Sequence, residues 1–89
     1  MNDYFDNFNA SWFIIKKVLI SNGFKQKGSN PPRGESVYFI KEGRKQPVLV
    51  PKENTLFKTA LVDIANQAGI REEIFLAQIS VFKVKKYKK

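Results

Sequence analysis

The sequence predicts a two-layer α+β domain: a helix, three short antiparallel strands, a long helix and a shorter one, with the helices on one face of the sheet. Three observations lead there. Apolar residues recur at three- and four-residue steps over residues 11–22 and again over 57–68, the spacing of one helix face. Between them, residues 36–41 and 46–50 are rich in β-branched and aromatic side chains and flank a Gly-containing turn. The 89 residues, 43% hydrophobic with eight Phe and one Trp, suffice for one core and are too few for two ordinary ones.

The first helix places Trp12, Ile15, Val18 and Leu19 on one stripe with Lys16 and Lys17 between them, while Phe13, Ile14 and Ile20 narrow its polar face. Asn9 or Ser11 supplies the N-cap oxygen, and Gly23 stands where a left-handed stop belongs. Phe24, Lys25 and Gln26 read as a short strand. Residues 27–34, dominated by Gly, Ser, Asn and Pro, read as a loop that Pro31 and Pro32 stiffen by holding the preceding residues extended. A hairpin follows, with Val37, Tyr38, Phe39 and Ile40 in its first strand and Glu42-Gly43-Arg44-Lys45 as its turn. Its second strand ends at Pro51, which has no N–H for the ladder.

Asn54 or Thr55 caps a second helix whose stripe is Phe57, Ala60, Leu61, Ile64, Ala65 and Ala68, closed by Gly69. Residues 71–79 form a short C-terminal helix with Glu72 and Glu73 at its positive end. Residues 81–86 extend that helix, add an edge strand or stay disordered, and pattern alone leaves the three open. The expected division is a folded domain over 1–80 and a basic tail over 81–89.

Sixteen Lys and Arg against eight Asp and Glu give a formal +8, a balance that attracts nucleic acid. Five of those cations, Lys83, Lys85, Lys86, Lys88 and Lys89, lie at the end of the chain, and the remainder carries only +3 without them. Such a run is ordinarily a solvated end, and where it meets RNA it is a sequence-blind phosphate anchor. With no Cys, neither a disulfide framework nor a thiolate metal site is available, and no metal or small-molecule cofactor is expected. Residues 1–9 carry Asp3 and Asp6 in place of the basic-then-apolar order of a secretory signal. No apolar run reaches the roughly 18 residues of a membrane span, so a soluble cytoplasmic protein without a membrane partner is expected.

Several short motifs follow one another on this framework: Gly23-Phe24, Lys27-Gly28-Ser29, a hairpin ending Val48-Leu49-Val50-Pro51, and Gln67-Ala68-Gly69-Ile70 with Glu72, Glu73 and Phe75 after it. None is specific alone. In this order and spacing, across residues 12–79, they resemble the HicA family of RNA-cleaving toxins, whose members read helix, G-F, K-G-S-H, hairpin, V-x-V-P, helix, Q-A-G-I, E-E-F. The resemblance implies a fold like a double-stranded-RNA-binding domain, metal-independent endonuclease action on mRNA, and neutralisation by a HicB antitoxin.

In that family the catalytic His directly follows the Gly-Ser pair, and here Asn30 holds the place; counted back from Tyr38, Ser36 stands nearest to it. Neither side chain titrates near neutral pH, and the chain has no His at all. Cleavage through a ribose 2′-OH needs a base for its proton and an acid for the leaving 5′-oxygen, which suits His because its charge changes near neutrality. Three explanations fit: a divergent member that binds without cleaving, an Asn introduced for His to disarm a toxin, or cleavage by other groups. In the last case Lys27, Arg33 and Arg44 stabilise the pentavalent phosphate while Tyr38 or Glu35 exchanges protons, which demands large pKa shifts. The candidate catalytic positions are thus Asn30, Ser36 and Tyr38, and the candidate RNA contacts are Lys25, Lys27, Ser29, Arg33, Arg44 and Lys45.

Each candidate has a plainer account. Gly28-Ser29-Asn30 alone is an ordinary turn. Lys16, Lys17 and Lys41, which together with the candidate cations can line one face, are also what solubility requires. Trp12, Phe13 and Tyr38 can stack on bases, yet aromatics at such spacing are more often core. Asp63 is the sole acid inside the second helix, so a paired-carboxylate site is not supported. The leading expectation is a HicA-like RNA-binding protein held by an antitoxin, with cleavage in question. The alternative is a protein-interaction module, an antitoxin-binding or regulatory decoy, that uses the open sheet face and the Pro31-Pro32 loop.

Overall fold

The computed structural model describes residues 8–29 and 36–88. Helix α1 (Trp12–Ser21) begins at Ser11, whose backbone is extended (φ −80°, ψ 159°) and whose hydroxyl accepts from the Ile14 amide at 3.4 Å. Asn9 is not the cap; it lies in a two-residue strand, β1 (Asn9–Ala10). Ile14, Ile15, Val18 and Leu19 are buried. Ile14 therefore belongs to the core face, and Trp12, expected there, is only half-buried at its margin. The helix ends at Asn22, whose Nδ2 donates to the Val18 carbonyl at 2.8 Å and to Gln78 Oε1 at 2.9 Å, fastening this end to the C-terminal part of the chain.

The main sheet has three antiparallel strands in the order β2 (Lys25–Ser29), β3 (Ser36–Ile40), β4 (Val48–Pro51). The first expected strand is corrected at both ends. Phe24 precedes it as a buried core residue, and Lys27, Gly28 and Ser29, assigned to a loop, continue it. Composition points to a loop there, but Gly28 pairs with Tyr38 and Ser29 with Val37. The register shifts between Gln26 and Gly28, leaving Lys27 as the extra residue of a bulge. The remainder of the expected loop, 30–34, lies outside the described residues.

On β3 and β4 the two-residue alternation sorts the faces. Val37 opposes Val50 and Phe39 opposes Val48, all four buried, while Tyr38 opposes Leu49 and Ser36 opposes Pro51 on the other face. The connection is longer than the expected four-residue turn, because the strands stop at Ile40 and resume at Val48. Its tight part is closed by the Arg44 amide donating to the Lys41 carbonyl at 3.0 Å, with Gly43 at φ +92°, as the third position of a type II turn requires.

A second, two-stranded sheet was not legible in the pattern: β1 pairs with β5 (Leu56–Phe57) through Asn9 opposite Phe57 and Ala10 opposite Leu56. This pairing draws the chain after Thr55 into extended backbone. Helix α2 (Lys58–Ala68) consequently starts later than expected, with Phe57 as an N-cap that makes no side-chain bond and with neither Asn54 nor Thr55 as cap. Phe57, assigned to the apolar stripe, is 62% exposed. Leu61, Ile64, Ala65 and Ala68 are buried as the spacing predicts. The helix closes in a Schellman motif: Gly69, at φ +75°, donates to the Asn66 carbonyl at 3.2 Å and Ile70 to that of Ala65 at 3.0 Å.

The expected short final helix is instead the longest, α3 (Glu72–Lys88) with 17 residues. Of the three outcomes open for residues 81–86, helix extension is the one found, and the division expected after residue 80 falls inside α3. Phe75, Leu76 and Ile79 are buried and Phe82 packs against the core. One turn on, Lys83 Nζ donates to the Asn9 carbonyl at 2.6 Å and lies 4.8 Å from the centroid of the Phe8 ring. Packing thus carries the helix past the point where sequence pattern fades. Glu73 in its first turn has its carboxyl held below the ordinary value near 4.5, first by a backbone N–H and then by the Arg71 guanidinium at 2.6 Å. A depressed carboxyl stabilises the fold above its ordinary value and ceases to as pH falls through the folded value. Glu73→Gln should therefore lower Tm slightly at neutral pH, with the gap to the parent protein closing as melts are repeated below 4.5.

The described buried residues are all apolar and form one cluster shared by α1, α2, α3 and the inward face of the main sheet. The helices cover that face, as expected. The α+β class is therefore the observed one, and among the described residues no helix is long and apolar enough to cross a membrane.

Candidate nucleic-acid interface

With no polar side chain buried among the described residues, any recognition chemistry sits at the surface. The candidate catalytic positions divide. Ser36 and Tyr38 are two apart on β3 and share the outward face, both half-buried. Asn30 lies outside the described residues, as do Glu35 and Arg33. Ser36 lines a shallow cleft of about 220 Å³ with Leu49, Pro51, Ala60, Asp63, Ile64 and Gln67. Nothing in the residue pattern puts Asp63 and Ser36 on the same space: they are 27 positions apart, and only the packing of α2 beside β4 brings them together.

Gln67 organises this border. Its side-chain Oε1 accepts from the Leu49 amide at 3.0 Å, satisfying a donor on the outer edge of β4. Its carbonyl accepts from Arg44 Nη2 at 2.9 Å. Within Gln67-Ala68-Gly69-Ile70, then, the Gln ties helix to hairpin and the Gly ends the helix, a structural use of residues first noticed as a motif.

The candidate RNA contacts also divide. Lys25 and Arg44 line a larger cleft of about 540 Å³, with Gly23, Ile40, Lys41, Glu42 and Gly43. The register puts Lys25 opposite Ile40, so both approach the cleft from the start of β2 and the end of β3. Lys45 is exposed beside it. Lys27 and Ser29 occupy the far half of β2, where Lys27 is exposed at the bulge. Lys41, noted in the sequence only as one of many cations, belongs to the cleft because the type II turn places it there.

A third group lies on α1. The Lys16 and Lys52 ammonium groups are 5.9 and 5.6 Å from the centroid of the Trp12 ring, and Lys16 and Lys17 are 5.6 and 5.1 Å from that of Phe13. The two rings meet edge to face at 6.0 Å. The strand turn after Pro51 is brought to the helix start by the Trp12 amide donating to the Glu53 carbonyl at 3.0 Å. Phe13, at 46% exposure, is the more accessible ring. Lysine stems resting on rings leave their ammonium groups in water. Among the described residues the ion pair is Arg71 with Glu73, and no described carboxylate lies within ion-pair distance of these cations.

Taken together, fold and surface define a small α+β domain with antiparallel sheets and several cationic groups that have no carboxylate partner among the described residues, beside exposed aromatic and aliphatic side chains. Comparison of the chain with protein-family models, with curated proteins and with solved structures gives no match.

Proposed function

We propose that this chain is a HicA-like protein of toxin–antitoxin type that binds RNA and is held by a HicB-like antitoxin, and that it recognises RNA without cleaving it. What supports the reading is the placement of the ordered motifs. Lys27-Gly28-Ser29 ends β2, Val48-Leu49-Val50-Pro51 is β4, Gln67-Ala68-Gly69-Ile70 closes α2, and Glu72 and Glu73 open α3. The double-stranded-RNA-binding-like arrangement belongs to the same proposal: one helix, three antiparallel strands and a second helix on the covered face. RNA engages the segment after β2, with Asn30 and Arg33, and the cations around it. Recognition is favoured over scission because no imidazole is present and neither Ser36 nor Asn30 can move a proton near neutrality.

Filter binding of a single-stranded mRNA fragment tests this. Affinity should be measurable at about 50 mM salt and fall by an order of magnitude or more by 200 mM, the signature of phosphate contacts. Absence of binding at low salt removes the nucleic-acid half of the proposal. Cleavage of the transcript at neutral pH by protein freed of contaminating nuclease removes the claim that scission is lost. The second reading, a protein-interaction module, draws support from Ile40 and Leu49, which are 39% and 38% exposed on the outward sheet face. Co-purification with a HicB-like neighbour favours the toxin–antitoxin frame, and an unrelated enzyme as companion favours the module.

A further inference from the structure

The cleft between the end of α1 and the hairpin turn is built differently from the rest of the cationic surface. Lys25, Lys41 and Arg44 converge on it from β2 and the turn, and each is held for a separate reason. Arg44 is fixed by the bond from its Nη2 to the Gln67 carbonyl, which leaves the other donors of its guanidinium available. Lys41 runs across the helix end and rests its ammonium 5.5 Å from the centroid of the Phe24 ring. It can do so because residue 23 is Gly: a Cβ there would stand 3.2 Å from Lys41 Cε. Lys25 is set by its register opposite Ile40.

A plainer account is that these cations only answer the negative ends of α1 and α2. The carbonyls of α1 count against it. Val18 accepts from the Ser21 hydroxyl and from the Asn22 amide and side chain, Leu19 from Phe24, and Ile20 from Gly23, so these three carbonyls are served without lysine. The charges also leave a remainder. Against three unit cations stand the Glu42 carboxylate, also on the cleft wall, and two helix ends of about half a charge each. About one positive charge is left over, which matches a phosphodiester. Among the described residues no carboxylate lies within ion-pair distance of Lys25, Lys41 or Arg44. The volume of about 540 Å³ admits a nucleotide-sized group.

We infer that this cleft is a phosphate subsite, seating one backbone phosphodiester of bound RNA between Lys25, Lys41 and Arg44. It lies at the opposite end of β2 from Ser29, so one strand of RNA spans the length of β2 and is held at both ends. The choice of RNA as the source of the phosphate rests on the function proposed above; the anion site itself does not.

Two measurements test it together. In the first, the salt dependence of single-stranded RNA binding is compared for the parent protein, Lys25→Gln/Lys41→Gln, and a charge-matched Lys58→Gln/Arg71→Gln, whose two positions lie outside the candidate interface. The cleft variant should lose about 0.7 from the slope of log K against log salt, the value of one neutralised phosphate on a single strand, and the matched variant should keep the parent slope. Equal slopes for all three, or equal losses in both variants, overturn the subsite. In the second, inorganic phosphate is titrated into the parent protein and amide shifts are followed by NMR. Shifts clustered at Gly23, Lys25, Gly43 and Arg44 are expected and should vanish in the cleft variant; scattered or absent shifts overturn the site. Clustered phosphate shifts in a protein that binds no RNA would sustain the anion site and defeat the RNA reading instead.

Discussion

Phe39→Ala should lower the urea midpoint by more than about 1 M and leave the protein largely unfolded at 37 °C. Phe39 sits on the central strand β3 with no solvent exposure, between Gln26 and Val48 in the ladder and beneath the helices. Removing a buried Phe ring costs about 3–5 kcal/mol in lost transfer energy and cavity. A chain of this length has about 4–13 kcal/mol in total, so most of a modest reserve goes with one side chain. Phe57→Ala is the internal comparison. That ring is 62% exposed, and its loss should stay within about 0.5 kcal/mol. Urea titrations followed by circular dichroism separate the two; similar midpoints for both variants would mean that the core is not centred on β3.

Gly69→Ala should cost about 1.5–3.5 kcal/mol, from two sources that can be told apart. At φ +75° an L side chain is strained by about 1–2 kcal/mol. Its Cβ would also stand 2.6 Å from Arg44 Nη1 and 3.1 Å from Cζ, so the guanidinium must swing away and give up the Gln67 carbonyl. That lost bond adds about 0.5–1.5 kcal/mol. In an Arg44→Ala background only the backbone strain remains. A double-mutant cycle should therefore find the Gly69→Ala penalty smaller by that second amount when Arg44 is absent. An identical penalty in both backgrounds would show that Arg44 does not lie over the helix end.

What the sequence revealed and what it hid follow one physical division. Features fixed by neighbours in the chain were readable: the Ser11 cap, the left-handed Gly69, the stripe of Leu61, Ile64, Ala65 and Ala68, and the strand that carries Val37, Tyr38, Phe39 and Ile40. Features fixed by distant partners were not. Gly28 and Ser29 carry turn composition but find strand partners in Tyr38 and Val37. Leu56 and Phe57 were absorbed into a helix until Ala10 and Asn9 paired with them. Helix α3 outruns its own amphipathic pattern because Phe82 and Lys83 reach the rest of the domain. The surface followed the same rule. Lys25 and Arg44 were readable as cations, whereas their meeting with Lys41 in one cleft, and that of Ser36 with Asp63 in another, depended on tertiary placement.

The continuity of α3 has a practical sequel. Because Phe82 and Lys83 belong to the same rod as Lys85, Lys86 and Lys88, electrostatic strength and mechanical anchorage are not separable by cutting. A chain shortened at residue 80 would shed positive charge and, with it, the clasp on the Asn9 carbonyl and the ring of Phe82. Any weakening of a polyanion's grip after such a deletion would then mix loosened architecture with missing cations. Neutralising the terminal lysines one at a time, with the rod kept at full length, isolates the contribution of charge.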